Sequence, residues 1–118
     1  MAYPGLVVGG LLVKKSIVFR TQVLFRKPAA VTLWVQDAKS KKRVKLLPGT
    51  SVGSNSKKDE GMTFVIPRVG TGNRFLVVVA SAASLKPDRS YLAVVSALGA
   101  KNQKQKIFVP LRVPVPDA

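Results

Sequence analysis

Apolar and polar residues alternate along most of the chain after residue 15. In the segments 17–25, 31–37, 62–67 and 107–115, nearly every second residue is apolar. A period of two residues is typical of β-strands that bury one face and expose the other. The predicted core residues of these strands are Ile17, Phe19, Val23, Phe25, Val31, Leu33, Val35, Met62, Phe64, Ile66, Ile107, Val109, Leu111, Val113 and Val115.

Two further runs, 75–80 and 91–95, are apolar at consecutive positions. Such runs favour central strands that are covered on both faces. Turn residues separate the runs, and no stretch shows a sustained helical period. The predicted strands, seven in all, are about 16–25, 30–37, 42–47, 62–67, 73–81, 90–98 and 106–115. Short strands at this spacing predict an all-β fold, a single antiparallel β-sandwich.

The loop 48–61 is the longest predicted connection, and we expect any eighth short edge strand to lie there. The predicted sandwich domain spans 16–115. An extended N-terminal arm, 1–15, precedes it, and a proline-rich tail, 116–118, follows it. Prolines within the last strand predict either an edge strand or a strand that becomes an extended tail, because proline cannot donate to a ladder.

The apolar run 5–13 predicts neither a membrane span nor a signal peptide. A helix needs about 20 residues to cross a bilayer. A signal peptide carries its positive charge before the apolar run, whereas Lys14 and Lys15 follow it. We therefore expect a virion or cytoplasmic location.

The composition excludes most enzyme chemistry. The chain of 118 residues contains no histidine and no cysteine, and its five acidic residues are Asp37, Asp59, Glu60, Asp88 and Asp117. Without imidazole or thiol there is no His-assisted nucleophile, disulfide or His- or Cys-ligated metal. The acidic residues form no paired-carboxylate pattern. We expect no catalytic residues, no metal and no cofactor.

Residues 85–91 read Leu-Lys-Pro-Asp-Arg-Ser-Tyr and lead into the apolar run 91–95. This segment resembles the tyrosine corner of fibronectin type III and immunoglobulin-like domains. The resemblance implies that Tyr91 is buried, that its hydroxyl bonds to the turn at 84–88, and that Leu85 and Pro87 shape that turn. Two features depart from those families. Trp34 is outside the apolar face of its strand, and the turn between 30–37 and 42–47 is short enough to favour a hairpin within one sheet.

The net charge of +15 comes from 20 basic and five acidic residues, and much of it falls in three predicted turns. A surface this basic favours a polyanion or an acidic protein surface as partner. If the strands follow immunoglobulin-like order, the three turns share one end of the sandwich. The predicted polyanion-binding residues are Lys39, Lys41, Lys42, Arg43, Lys45, Arg68, Arg74, Lys101, Lys104 and Lys106.

Lysine and arginine on loops predict contact with phosphates without readout of base sequence. The five phenylalanines, Phe19, Phe25, Phe64, Phe75 and Phe108, are expected mostly on core-facing positions. Only Trp34 and Tyr3 are left as candidates for base stacking. The pattern therefore favours duplex backbone, folded RNA or an acidic protein surface over stacking on single strands.

The first functional hypothesis is a non-enzymatic structural module of a larger assembly, such as a virus or phage particle. The arm and tail would pack against neighbouring protein subunits, and a homo-oligomer is expected. The first alternative is a nucleic-acid-binding or ribonucleoprotein component. The second is a fibronectin-like adhesion or carbohydrate-binding module.

Overall fold

The computed structural model describes residues 7–53, 58–59, 62–87, 89–99 and 104–114. Within these residues the chain forms two β-sheets and one turn of 3-10 helix at Ala82–Ser84. In chain order, the strands are β1 (Val8–Gly9), β2 (Leu11–Val13), β3 (Ser16–Phe25), β4 (Ala29–Asp37), β5 (Arg43–Val44), β6 (Ser51–Val52), β7 (Lys58–Asp59), β8 (Thr63–Val69), β9 (Gly72–Ser81), β10 (Tyr91–Gly99) and β11 (Lys104–Arg112).

The larger sheet has the spatial order β1-β11-β10-β4-β8-β7, and β5 also pairs with β4. The smaller sheet has the order β2-β3-β9-β6. All pairs are antiparallel except β1 with β11, which run parallel. The predicted all-β sandwich fold is confirmed.

The core lies between the two sheets and follows the period-two pattern. Phe19 and Phe25 from β3 are buried, as are Leu33 from β4 and Phe64 and Ile66 from β8. Along β4 the odd-numbered residues are buried and the even-numbered ones are exposed or half-buried. Because side chains alternate across a strand, one face of each sheet packs inward and the other faces outward.

The predicted core differs from the observed one at a few positions. Met62 precedes β8 and is 49% exposed, so its prediction as a core residue is wrong. Ile107 is half-buried against the core, and Val115 lies outside the described residues. Phe75 is 54% exposed because the buried face of β9 is formed by its even-numbered residues. Phe108 likewise faces outward, because β11 buries its odd-numbered residues.

The predicted strand at 42–47 is split between the two sheets. Arg43 and Val44 form β5, which pairs with β4, as expected for a hairpin within one sheet. Leu46 then bridges Ala80 of β9, and the Leu47 N–H donates to the Val79 carbonyl at 2.8 Å. The chain therefore passes from the larger sheet to the smaller one within two residues.

Short strands form in the predicted arm, 1–15, and in the predicted loop, 48–61. In the predicted arm, β1 pairs with β11 and β2 pairs with β3, so these residues touch both sheets. The crossing point is Gly10, where an added Cβ would lie 2.5 Å from Cγ2 of Ile17 and 2.7 Å from Cε1 of Phe19. Only glycine fits this approach. The 48–61 loop contributes β6 to one sheet and β7 to the other.

The 85–91 segment adopts the geometry that its sequence pattern predicts. Tyr91 and Leu85 are buried, and the Lys86 N–H donates to the Tyr91 hydroxyl oxygen at 3.0 Å. Pro87 lies on the exposed side of the turn. The hydroxyl thus ties the start of β10 to the connection that crosses from the smaller sheet to the larger.

Tyr91→Phe removes the hydroxyl acceptor and leaves the Lys86 N–H without it. We expect the free energy of unfolding to fall by about 1 kcal/mol, the typical net contribution of one such hydrogen bond. Urea denaturation of both proteins at neutral pH measures this difference. A change near zero would contradict a stabilising role for this bond.

Candidate functional site

Strand register defines two ends of the sandwich. At one end, Ala29 of β4 pairs with Gly99 of β10 and with Val69 of β8. We call this the Pro28 end, because Pro28 lies in the turn before β4. At the other end, Asp37 of β4 pairs with Tyr91. We call this the Asp37 end.

The predicted convergence of three basic turns is wrong. Lys39, Lys41 and Lys42 follow β4 and lie at the Asp37 end, whereas Arg68 and Lys104 lie near the Pro28 end. The physical reason is β7, which runs antiparallel to β8 and reverses the chain once more. Because of this additional reversal, every later loop emerges at one end of the sandwich, whereas the seven predicted strands would place it at the other end.

A shallow groove crosses the Pro28 end of the larger sheet. It consists of three adjoining depressions of about 190, 460 and 360 Å³. Its floor is formed by small and apolar residues, including Ala30, Leu98 and Pro67. We call it the basic groove, and its cationic lining residues are Arg26, Lys27, Arg68, Lys104 and Lys106. Among the residues that the structure describes, no acidic one lines it.

Arg26 and Lys27 were not among the residues predicted from sequence. They form a pair in a short turn, with no third cation close by in sequence to mark a cluster. The signal available in the sequence was the Lys27-Pro28 turn. This turn follows β3 and leads into β4, and its residues line a depression together with residues of β10 and β11. Lys101, which was predicted to contribute, lies outside the described residues.

Arg74 has a structural role at the Pro28 end. Its Nε donates to the Gly70 carbonyl at 3.2 Å and its Nη2 donates to the Thr71 carbonyl at 2.7 Å. Gly72 in the same turn has a φ of +114°, a left-handed conformation that favours glycine. Arg74 braces the turn between β8 and β9, whereas Arg68 lines the groove.

Trp34 faces outward from β4, as its even position predicted. The Arg43 guanidinium carbon lies 4.2 Å from the ring centroid, and the Lys106 ammonium lies 5.9 Å from it. Its indole Nε1 donates to Oε1 of Gln36 at 2.9 Å, and Arg43 Nη1 donates to Oγ1 of Thr63 at 2.9 Å. A cation over an indole face is stabilised by the ring quadrupole. The sheet thus brings two of the predicted cations to one aromatic ring.

The turn at the Asp37 end is built around one carboxylate. Oδ1 of Asp37 accepts hydrogen bonds from the Lys39 N–H at 2.8 Å and the Ser40 N–H at 3.0 Å. Oδ2 lies 3.4 Å from the Arg89 guanidinium. The Ser40 and Lys39 N–H groups hold the pKa of Asp37 below its ordinary value, and Arg89 lowers it further. Lys41, with a φ of 62°, completes this tight turn.

Lys45, the last of the predicted cations, does not line the basic groove. Lys45 is exposed on the segment that crosses between the sheets. The Asp37 end contains an acidic side chain among its cations, whereas none of the described residues that line the basic groove is acidic.

No protein-family model, curated protein or solved structure matches this chain. In the described part of the chain, no helix has the length and apolar character needed to cross a membrane. The candidate site therefore rests on its own geometry.

We expect Asp37 to contribute stability at neutral pH that is lost on acidification. Its folded pKa is depressed, so the contribution is present above the unfolded pKa of about 3.9 and disappears as pH falls through the lower folded value. Asp37→Asn cannot titrate. The difference in urea midpoint between wild type and this variant should shrink between pH 7 and pH 3, and a constant difference would contradict the assignment.

Proposed function

We propose that this protein is a non-enzymatic structural module of a larger assembly, of the kind found in virus or phage particles, and that it contacts nucleic acid through the basic groove. The observation that carries the proposal is the groove itself, which brings five cationic residues together and in which none of the described lining residues is acidic. The net charge of +15 adds a long-range attraction for any polyanion.

The width of the groove suits a phosphate backbone. Lys104 is on β11 and Arg68 is on β8, with β10 and β4 between them. Neighbouring strands are about 4.8 Å apart, so these two positions are on strands separated by about 14 Å. Duplex DNA carries one negative charge per about 1.7 Å of its axis, so several phosphates fall within this width.

The groove favours phosphate contact over base readout. Its cations are long, and none of the described residues that line it is aromatic, although Trp34 lies beside Lys106 at its border. Contacts of this type position a nucleic acid without reading its sequence. The proposed partner is therefore duplex or structured nucleic acid, bound through its backbone.

The finer fold assignment, to an immunoglobulin-like or fibronectin type III-like sandwich, is part of the same proposal. It is supported by the hydrogen bond from Lys86 to Tyr91 and by the parallel pairing of β1 with β11 beside an antiparallel core. Domains with this architecture serve many unrelated functions, so the functional proposal depends on the groove.

The triple substitution of Lys27, Arg68 and Lys104 to Gln tests the groove. We expect binding to duplex DNA and structured RNA to weaken, because each lost phosphate contact removes about 0.9 from the slope of log affinity against log salt. The triple variant should lower that slope by about 2 to 3. Trp34, the only tryptophan in the chain, lies near Lys106 and provides a fluorescence readout of binding.

The matched control replaces Lys39, Lys41 and Lys42 with Gln, which removes the same number of charges from the Asp37 end. Its salt slope should change by less than about 1. Equal losses in the two triple variants would contradict a specific role for the groove. Absence of binding by wild type even at low salt would contradict nucleic acid as the partner. Thermal midpoints establish that both variants remain folded.

A further inference from the structure

Three of the four long strand edges in the described residues are covered or interrupted. The open part of β11 carries Pro110 and two lysines, and the outer edge of β8 carries Pro67 beside Arg68. The outer edge of β9 is covered by the segment 46–53, which donates to the Val79 carbonyl at 2.8 Å and to the Phe75 carbonyl at 2.7 Å. Prolines, charges and covering loops all prevent another strand from pairing.

The edge of β3 is less protected than these three. β2 pairs only with residues 16–18 of β3, and within the described chain no strand pairs with 19–25 on that side. This stretch contains no proline, and its register with β9 is continuous from Ser16 to Phe25. Arg20 is its only charged residue.

The alternation of hydrogen-bonded pairs along β3 shows which backbone groups face the open edge. The Ala82 N–H donates to the Lys15 carbonyl at 2.8 Å, which continues the β3–β9 register by one pair. Hydrogen-bonded pairs recur at every second residue, so the odd-numbered residues of β3 bond to β9. The backbone N–H and C=O groups of Arg20, Gln22 and Leu24 therefore point away from β9, toward the open edge.

We propose that a second copy of this chain pairs its own residues 19–25 with this edge, antiparallel, about a two-fold axis at Gln22. In this register Gln22 lies opposite Gln22, and Arg20 lies opposite Leu24. All three edge-facing residues then form hydrogen-bonded pairs, and each such pair exchanges two bonds. This inference rests on the assembly part of the proposed function, and it names the partner as the chain itself.

The open stretch of β3 has the right length to pair with the same stretch of a second copy. β2 occupies the edge up to residue 18, and β3 ends at Phe25 before the chain turns through Pro28. Seven residues are thus open on one copy, and the same seven are presented by the other. Nothing in the register requires the two copies of β2 to overlap.

Charge also favours a second copy at this edge. Both ends of the sandwich carry several cations, so two chains with a net charge of +15 repel each other there. In the proposed register the two Arg20 residues are offset by four positions, or about 14 Å along the strands. That separation exceeds the Debye length of about 8 Å at physiological salt.

Three exposed apolar side chains lie on the outer face near the edge, together with Arg20 and Gln22. Leu24 is 50% exposed, and Leu11 on β2 and Phe75 on β9 are also exposed. In the joined sheet the exposed faces of the two smaller sheets become continuous. Isologous pairing of identical surfaces is the common arrangement in homodimers.

The first test measures the mass in solution against protein concentration and salt. We expect the wild-type mass to rise toward twice that of one chain, and the rise to be larger at higher salt, because salt screens the net repulsion. Gln22→Lys places like charges opposite each other and should weaken dimerisation at least tenfold. Ser84→Lys adds the same charge at an exposed site in the 3-10 helix and should dimerise as wild type does.

The second test uses single cysteines, since the chain contains none. A hydrogen-bonded antiparallel pair has its Cα atoms about 5.5 Å apart, within disulfide range. Gln22→Cys should therefore form an intermolecular disulfide rapidly under mild oxidation. Leu24→Cys should form one much more slowly, because the two copies of residue 24 would be about 14 Å apart.

Amide hydrogen exchange tests the same strand register on the wild-type protein. The Arg20, Gln22 and Leu24 amides should become protected as concentration rises, while the Thr21 and Val23 amides are protected throughout.

A mass that does not change with concentration, or equal crosslinking at positions 22 and 24, would overturn the proposal. So would edge amides protected equally at all concentrations, because another part of the same chain would then cover the edge.

The salt dependence separates this inference from nucleic-acid binding. Salt strengthens the proposed dimer and weakens phosphate contacts. Gln22→Lys leaves the basic groove intact, and its monomer should still bind nucleic acid. Failure of dimerisation with retained nucleic-acid binding overturns only the dimer, and the reverse result overturns only the groove.

Discussion

The burial of alternate side chains between the two sheets is the constraint on which the rest of this structure depends. β4 shows it most clearly, since Val31, Leu33 and Val35 are at most 1% exposed and Trp34 faces outward between them. A shift of one residue in register would exchange these faces. The inward pattern therefore fixes which side chains are free to meet a partner, and among the described residues it leaves Asp37, at the end of β4, as the one buried charged side chain.

The remaining charge is distributed unevenly over the surface. The basic groove at the Pro28 end collects cations from the turn before β4 and from β8 and β11, which are distant in sequence. The Asp37 end holds its cations around one carboxylate. The open edge of β3 carries a single charge. These differences separate the groove proposed to bind nucleic acid from the edge proposed to pair with a second chain.

Local patterns in the sequence predicted much of the fold. The strands β3, β4, β8, β9 and β10 were located to within two residues at each end, and β11 to within three, because period-two alternation is a property of neighbouring residues. The hydrogen bond between Lys86 and Tyr91 was expected from the resemblance of 85–91 to a tyrosine corner, which implied that the Tyr91 hydroxyl bonds to the turn at 84–88. The candidate site was predicted only in part. Arg68, Lys104 and Lys106 do line the groove, but Arg26 and Lys27 were missed, and Arg74 braces a turn.

The sequence by itself determined that this protein is an all-β sandwich with an apolar core, a strongly basic composition and neither imidazole nor thiol chemistry. Only the tertiary structure decided which loops share an end and which strand edge stays open. The physical reason is that strand direction depends on every reversal of the chain. β7 is two residues long and has no periodicity of its own, yet it changes the end at which all later loops emerge. Its pairing with β8 is a tertiary property that alternation within a single strand does not encode.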